Sequence, residues 1–340
     1  MIADGLRLLG DRLPDGWKVG APRMGPRSSD ATVELRAPDG TAGRIVFEAR
    51  RGLDPRSALS LAALAHEAAG KGPLVVISSY LSPSTRESLR RAGVGYLDLT
   101  GNTRIVTNSP ALFIETQGAA VDPNPKERPT RSLRGAKAGR VVRALVDRRE
   151  PSGVREIAAR TGVDAGYVSR VLAFLDSQAL VTRVGRGRLA SVDWTGLVRR
   201  WAGEAPLESR GTIHAYLEPR GLPAFLERLG KSRERYAITG ALAAARLAPI
   251  APARLATVWM RPELPTVDLL GLRPADAGAN VLLVEPADDY VFEGSRETRG
   301  LWYAAPSQVA ADLLTSPGRG PAEGEALLEW MKGNEEAWRG

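Results

Sequence analysis

The spacing of apolar positions changes along the 340-residue chain, and the changes divide it. From residue 1 to about 118, short apolar runs alternate with amphipathic stretches, the texture of an α/β domain placed at 1–120. The spacing predicts helices over 4–12, 55–69 and 82–92, and strands over 31–36, 44–49, 74–78, 96–98 and 103–107. Ala37-Pro38-Asp39-Gly40 reads as the turn between the first two strands, and Ser82-Pro83 starts a helix with a capping hydroxyl and a first-turn proline. Residues 121–130 then carry three prolines, Pro123, Pro125 and Pro129, so 121–132 reads as a linker.

Helical spacing resumes at 133, runs to about 149 and breaks at Glu150-Pro151-Ser152-Gly153. Two further helices joined by a tight turn follow over 154–172. Ile157, Ala158, Val163, Val168, Val171 and Leu172 form the inward positions, Gly162 supplies the left-handed turn residue and Asp164 caps the second helix. Phe174, Leu175 and Leu180 extend that helix, and 181–184 and 188–192 flank Gly185-Arg186-Gly187 as a short hairpin. The order is that of a winged helix-turn-helix, assigned to 133–201. A third α/β segment at 205–340 has apolar runs over 236–247, 256–260 and 280–284 and a final helix over 322–332.

Charge sharpens this picture. The net charge is +8, yet residues 126–201 alone hold 17 basic against seven acidic side chains, so the remainder of the chain is slightly acidic. A localised excess of this kind points to a polyanion partner, here double-stranded DNA. Tyr167, Ser169 and Arg170 fall near the start of the second helix, where recognition helices meet base edges. Arg183, Arg186 and Arg188 would reach the backbone or minor groove from the hairpin, and Lys137, Arg140, Arg155 and Arg160 would hold phosphates from the earlier helices. A homodimer reading two half-sites is expected from such a module.

Other chemistry is narrowed by composition. Cysteine is absent and histidine is limited to His66 and His214, which excludes disulfides and thiolate zinc sites. No G-x-S-x-G elbow, Walker loop or G-x-G-x-x-G occurs, and no cofactor or metal is expected. No apolar run approaches the roughly 20 residues of a membrane helix, so no membrane partner is expected and the location is read as cytoplasmic, at the nucleoid.

Two resemblances add to these readings. Arg90 to Asn102 (RRAGVGYLDLTGN), Tyr236 to Ala244 (YAITGALAA) and Asp312 to Gly320 (DLLTSPGRG), around the helix-turn-helix, resemble AbiEi-like antitoxins of type IV toxin–antitoxin systems. The resemblance implies repression of the protein's own operon and a nucleotidyltransferase-like toxin as partner. The order of elements in the first domain is similar to the restriction-endonuclease-like core, in which an Asp and a Glu-x-Lys hold a divalent metal. Asp30, Glu48 and Arg50, with Glu34 nearby, stand at those places, and arginine for lysine predicts a domain without catalysis, because guanidinium does not exchange a proton near neutral pH. Glu293-Gly294-Ser295 gives the C-terminal α/β domain a nucleotidyltransferase-like feature without the paired aspartates. A metal-dependent nuclease guided by the winged helix, and a protein-interaction scaffold without DNA, remain the alternatives at this stage.

Overall fold

The structure, a computed structural model, describes residues 1–25, 30–68, 70–124, 132–149, 153–184 and 188–340. The chain forms two compact units, Met1–Pro129 with Leu175–Ala179, and Thr130–Phe174 with Leu180–Gly340. Both are α/β with mixed sheets. Among the described residues no helix is long and apolar enough to cross a membrane.

The first unit runs α1 (Ile2–Gly10), β1 (Lys18–Val19), β2 (Arg23–Met24), β3 (Asp30–Arg36), β4 (Ala42–Ala49), α2 (Pro55–Ser60), α3 (Ala62–Ala68), β5 (Leu74–Ser78), α4 (Pro83–Arg91), β6 (Gly95–Asp98), β7 (Thr103–Asn108) and β8 (Ala111–Thr116). Its sheet has the order β1-β3-β4-β5-β6-β7-β8, with β2 also on β3. Strands β4, β5 and β6 are mutually parallel and the outer pairings antiparallel. All five residues of β5 are buried, because its alternating side chains enter two separate cores. Val75 and Ile77 join Val33, Phe47 and Leu97 in a core that includes Leu9 of α1, whereas Leu74 and Val76 join Ala58, Leu61 and Leu89 from the helices on the opposite face. Gly5 lets α1 lie close to the sheet, since a Cβ there would stand 2.8 Å from the Ile77 Cδ1.

Strands β1 and β2, a divided helix and strand β8 differ from the sequence expectation for this unit. The helix expected over 55–69 is divided at Leu61 into α2 and α3, with Leu61 turned into the core. Strand β8, unanticipated, pairs with β7 along its whole length, burying Leu112 and Ile114 and leaving Phe113 63 % exposed.

The second unit begins with α5 (Ala136–Val146), α6 (Val154–Thr161), α7 (Ala165–Ser177), β9 (Val181–Val184), β10 (Arg188–Val192) and α8 (Trp194–Glu204). It continues with α9 (Leu207–Arg210), β11 (Gly211–Leu217), α10 (Leu222–Leu229), β12 (Ala237–Thr239), α11 (Gly240–Ala244), β13 (Ala256–Trp259), α12 (Leu264–Leu269), β14 (Arg273–Pro274) and β15 (Val281–Pro286). A 3-10 turn at Asp289–Phe292, β16 (Arg296–Thr298), β17 (Leu301–Tyr303), α13 (Pro306–Leu313), α14 (Gly320–Gly333) and α15 (Glu335–Trp338) complete it. Strands β9 and β10 form their own two-stranded sheet, and the larger sheet has the order β14-β11-β15-β13-β12-β17-β16.

Residues 133–201 and 205–340, read from sequence as separate domains, pack together in this unit. Gly139 on α5 packs close to the 3-10 turn, for a Cβ there would lie 2.6 Å from the Tyr290 Cζ. Between α8 and α15 the Trp194 and Trp338 rings meet edge to face at 5.0 Å, and the Trp194 Nε1 donates to Glu335 Oε1 at 2.7 Å. Such edge-to-face pairs add to the stabilisation that area burial alone gives.

Candidate nucleic-acid interface

The α6–α7 junction follows from three adjacent signals in the sequence. Gly162 ends α6 in the left-handed region at φ +64°, a conformation that costs a residue with a Cβ more than glycine. Thr161, just before it, donates its hydroxyl to the Ile157 carbonyl at 2.7 Å and accepts from the Val163 amide at 3.3 Å. Asp164 Oδ1 then accepts from the Tyr167 amide at 3.0 Å, satisfying a first-turn N–H of α7. Ile157, Val163, Val168, Val171 and Leu172 are buried, while Ala158 is half-buried. Strands β9 and β10 pair Val181 with Val192 and Arg183 with Leu189, and a bridge from Gly153 to Arg188 lays the residue before α6 beside the hairpin.

The structure separates the basic side chains of this segment into spent and unspent charges. Arg140, read as a phosphate contact, instead gives its Nε and Nη2 to the two carboxylate oxygens of Asp288 at 3.0 and 2.9 Å. That paired carboxylate holds the Arg140 pKa above the ordinary guanidinium value. Arg143 is 1 % exposed, with its guanidinium donating to Asp147 at 2.8 Å, Gln308 at 2.9 Å and the Glu293 carbonyl at 2.6 Å. Arg160 pairs with Glu156 one turn earlier at 2.8 Å, Arg199 with Glu325 at 2.6 Å, and Arg200 with Glu204.

By contrast Lys137, Arg155, Arg170 and Arg188 are exposed and have no carboxylate partner among the described residues. Arg148 is exposed in the same way. Arg183 is half-buried, as are Tyr167 and Ser169 on the first turns of α7. Arg186 lies outside the described residues, together with the rest of the hairpin tip at 185–187. Of the nearby carboxylates, Asp147 and Glu156 are in ion pairs with Arg143 and Arg160, and Asp164 and Asp193 accept first-turn amides as helix caps.

In the first unit, antiparallel register places Asp30 on β3 opposite Glu48 on β4. Glu48 is buried and its carboxylate is in an ion pair with Arg50, two residues along the strand. Glu34 pairs with Arg36 at 2.7 Å and sits opposite Arg44, roughly 13 Å along the strand from Asp30 at the usual rise per residue. Among the described residues no group of three acidic or imidazole side chains is arranged to hold a metal ion.

The motifs outside the helix-turn-helix have a structural use that spacing did not disclose. Asp98 is fully buried and accepts from the amides of Leu81, Thr100 and Asn102, the Thr100 hydroxyl and the Asn102 side-chain amide at 2.7–3.0 Å. Asp312 is 1 % exposed; Thr239 Oγ1 and Trp259 Nε1 donate to its Oδ2 at 2.6 and 2.8 Å, and Gln308 Nε2 to its Oδ1 at 2.8 Å. Arg210 Nη1 stands 2.7 Å from the same Oδ1. Glu293-Gly294-Ser295 forms a turn in which the Glu293 amide donates to the Tyr290 carbonyl at 3.0 Å and the Ser295 amide to the Phe292 carbonyl at 3.1 Å. Burial pushes the Glu293 carboxyl above its ordinary range. His214 lies 3.7 Å from Glu285 across the β11–β15 pairing, and His66 is on α3.

No known protein family and no curated protein matches the chain. A solved structure described as EndoMS in apo form is similar to part of it, at 16 % identity and a TM-score of 0.22, over 29 % of this chain and 44 % of that one. The chain therefore spans less than half of that protein's length.

Proposed function

We propose that this protein is a sequence-specific, duplex-DNA-binding transcriptional regulator, a repressor, whose reading head is a winged helix-turn-helix made of α5, α6, α7 and the β9–β10 hairpin. The observation that carries the reading is the partition of charge. Arg140, Arg143 and Arg199 are neutralised by Asp288, Asp147 and Glu325, whereas Arg155 on α6, Arg170 on α7 and Arg188 on β10 are exposed without a carboxylate partner among the described residues. Cations without a carboxylate partner gain more counterion-release free energy from a polyphosphate than ion-paired ones, which must first give up their partner.

On the same reading the first unit is a restriction-endonuclease-like domain that no longer cuts. Supporting this is Arg50, which occupies the Glu48 carboxylate with a cation that cannot act as a proton carrier. The resemblance to AbiEi-like antitoxins makes the controlled operon the protein's own and adds a toxin as protein partner, with a homodimer reading two half-sites.

The test is binding to pooled genomic duplex fragments with magnesium present, followed by sequencing and a gel of the DNA. A discrete motif on intact fragments is expected. Arg155→Ala and Arg188→Ala should each weaken binding to every sequence and lower the salt slope by about one, while Arg199→Ala leaves the slope unchanged. Cut fragments would restore the nuclease alternative, and no enrichment over random DNA would overturn the proposal.

A further inference from the structure

We infer that Arg170 reads a guanine in the operator, with Tyr167 as the residue that positions it; this rests on the DNA-binding reading above. Arg170 is the sixth residue of α7, exposed and free of carboxylates among the described residues. Its guanidinium is nevertheless placed, since its Cζ lies 5.8 Å from the centre of the Tyr167 ring, one turn toward the helix start. The guanidinium comes back over Gly166, where a Cβ would be 3.6 Å from Arg170 Nη1, an ordinary contact distance. Tyr167 is half-buried and its amide is held by the Asp164 cap, which sets where the side chain leaves the helix.

The chemistry of the held group selects the base. A guanidinium presents two parallel N–H donors, which match the paired acceptors O6 and N7 of guanine in the major groove; adenine places its N6 amino donor where the second N–H would point. A cation–π contact with the ring restricts the guanidinium before DNA arrives and lowers the ordering cost of the base contact. Lysine at 170 would keep the charge and lose the fork.

The experiment uses the full chain and the duplex recovered by selection, with each guanine of the recovered motif replaced in turn by 7-deazaguanine, which pairs normally but lacks the N7 acceptor. At one position the replacement should weaken the unaltered protein by roughly tenfold, the span of a single lost base contact. Arg170→Ala should bind both duplexes equally; Arg170→Lys, whose ammonium can still donate to the guanine acceptors without the planar fork, should discriminate less than the unaltered protein with an unchanged salt slope, and both should keep the thermal melting. Tyr167→Phe should discriminate as fully as the unaltered protein, and Tyr167→Ala should lose most of the discrimination while keeping the salt slope. Undiminished discrimination by Arg170→Ala, or no sensitive guanine anywhere in the motif, would overturn the assignment and leave DNA binding intact. Failure of the unaltered protein to bind any duplex would overturn both.

Discussion

Asp312→Asn should unfold the second unit at a markedly lower urea concentration than the unaltered chain. The side chain is 1 % exposed and each of its oxygens faces two donor groups, Gln308 Nε2 and Arg210 Nη1 at Oδ1, Thr239 Oγ1 and Trp259 Nε1 at Oδ2. An amide has one acceptor oxygen and one donor nitrogen, so either orientation of the new side chain turns its N–H groups toward a group that cannot accept. At one position these are Gln308 Nε2 and the Arg210 guanidinium; at the other it is Trp259 Nε1, where only the Thr239 hydroxyl can turn to accept. The substitution also leaves the Arg210 guanidinium, 3 % exposed, without its counter-charge. Breaking one side of a buried ion pair costs about 3–5 kcal/mol, a large share of the roughly 5–15 kcal/mol by which folded domains are stable.

Six of the seven tryptophans lie beyond residue 190, so intrinsic fluorescence in urea follows this unit selectively, and Trp259 reports from the network itself. Asp312→Asn combined with Arg210→Met should recover part of the loss, because an apolar side chain of similar length removes the stranded charge. A cost below about 1 kcal/mol for Asp312→Asn, or no recovery in the double variant, would refute the view that Asp312 is a buried counter-charge.

Two further consequences concern the contact of α5 with the 3-10 turn. Gly139→Ala would gain up to about 1 kcal/mol of helix propensity in isolation, but its methyl meets the Tyr290 ring at 2.6 Å, so a net loss of about 1–3 kcal/mol is expected in the same urea assay. Tyr290 itself sets an alkaline limit, for burial pushes its phenol up from 10.0 to about 12, against the opposing influence of Arg210 and Arg143. Below pH 10 the phenol is neutral in both states and this contribution is fully present. Between pH 10 and 12 the unfolded chain gives up the proton first, so stability falls as pH rises, by up to about 3 kcal/mol. Phenolate absorbance should show one tyrosine titrating after the others, and Tyr290→Phe should remove both the late titration and its part of the alkaline loss.

What the sequence determined by itself is whatever depends on neighbours a few residues away. Period-two alternation located β3 and short apolar runs located β4 and β5, and Gly162 and Asp164 marked the α6–α7 junction, because a left-handed turn residue and a capping carboxylate act on amides within about one turn. The clustering of arginine over 126–201 was equally plain, but its meaning was not. Arg140 and Arg143 find Asp288 and Gln308 across separations of 148 and 165 residues, which no local pattern encodes. Likewise Asp98 and Asp312 looked like polar members of motifs, and only the packing of distant strands and helices around them made them buried hubs. Strand β8 escaped notice because one of its faces is open and carries Phe113, leaving just Leu112 and Ile114 to signal a core. Tertiary structure decided which charges are spent inside the protein and which remain on its surface, because a charge is neutralised by what lies within a few ångströms in space, whatever its place in the chain.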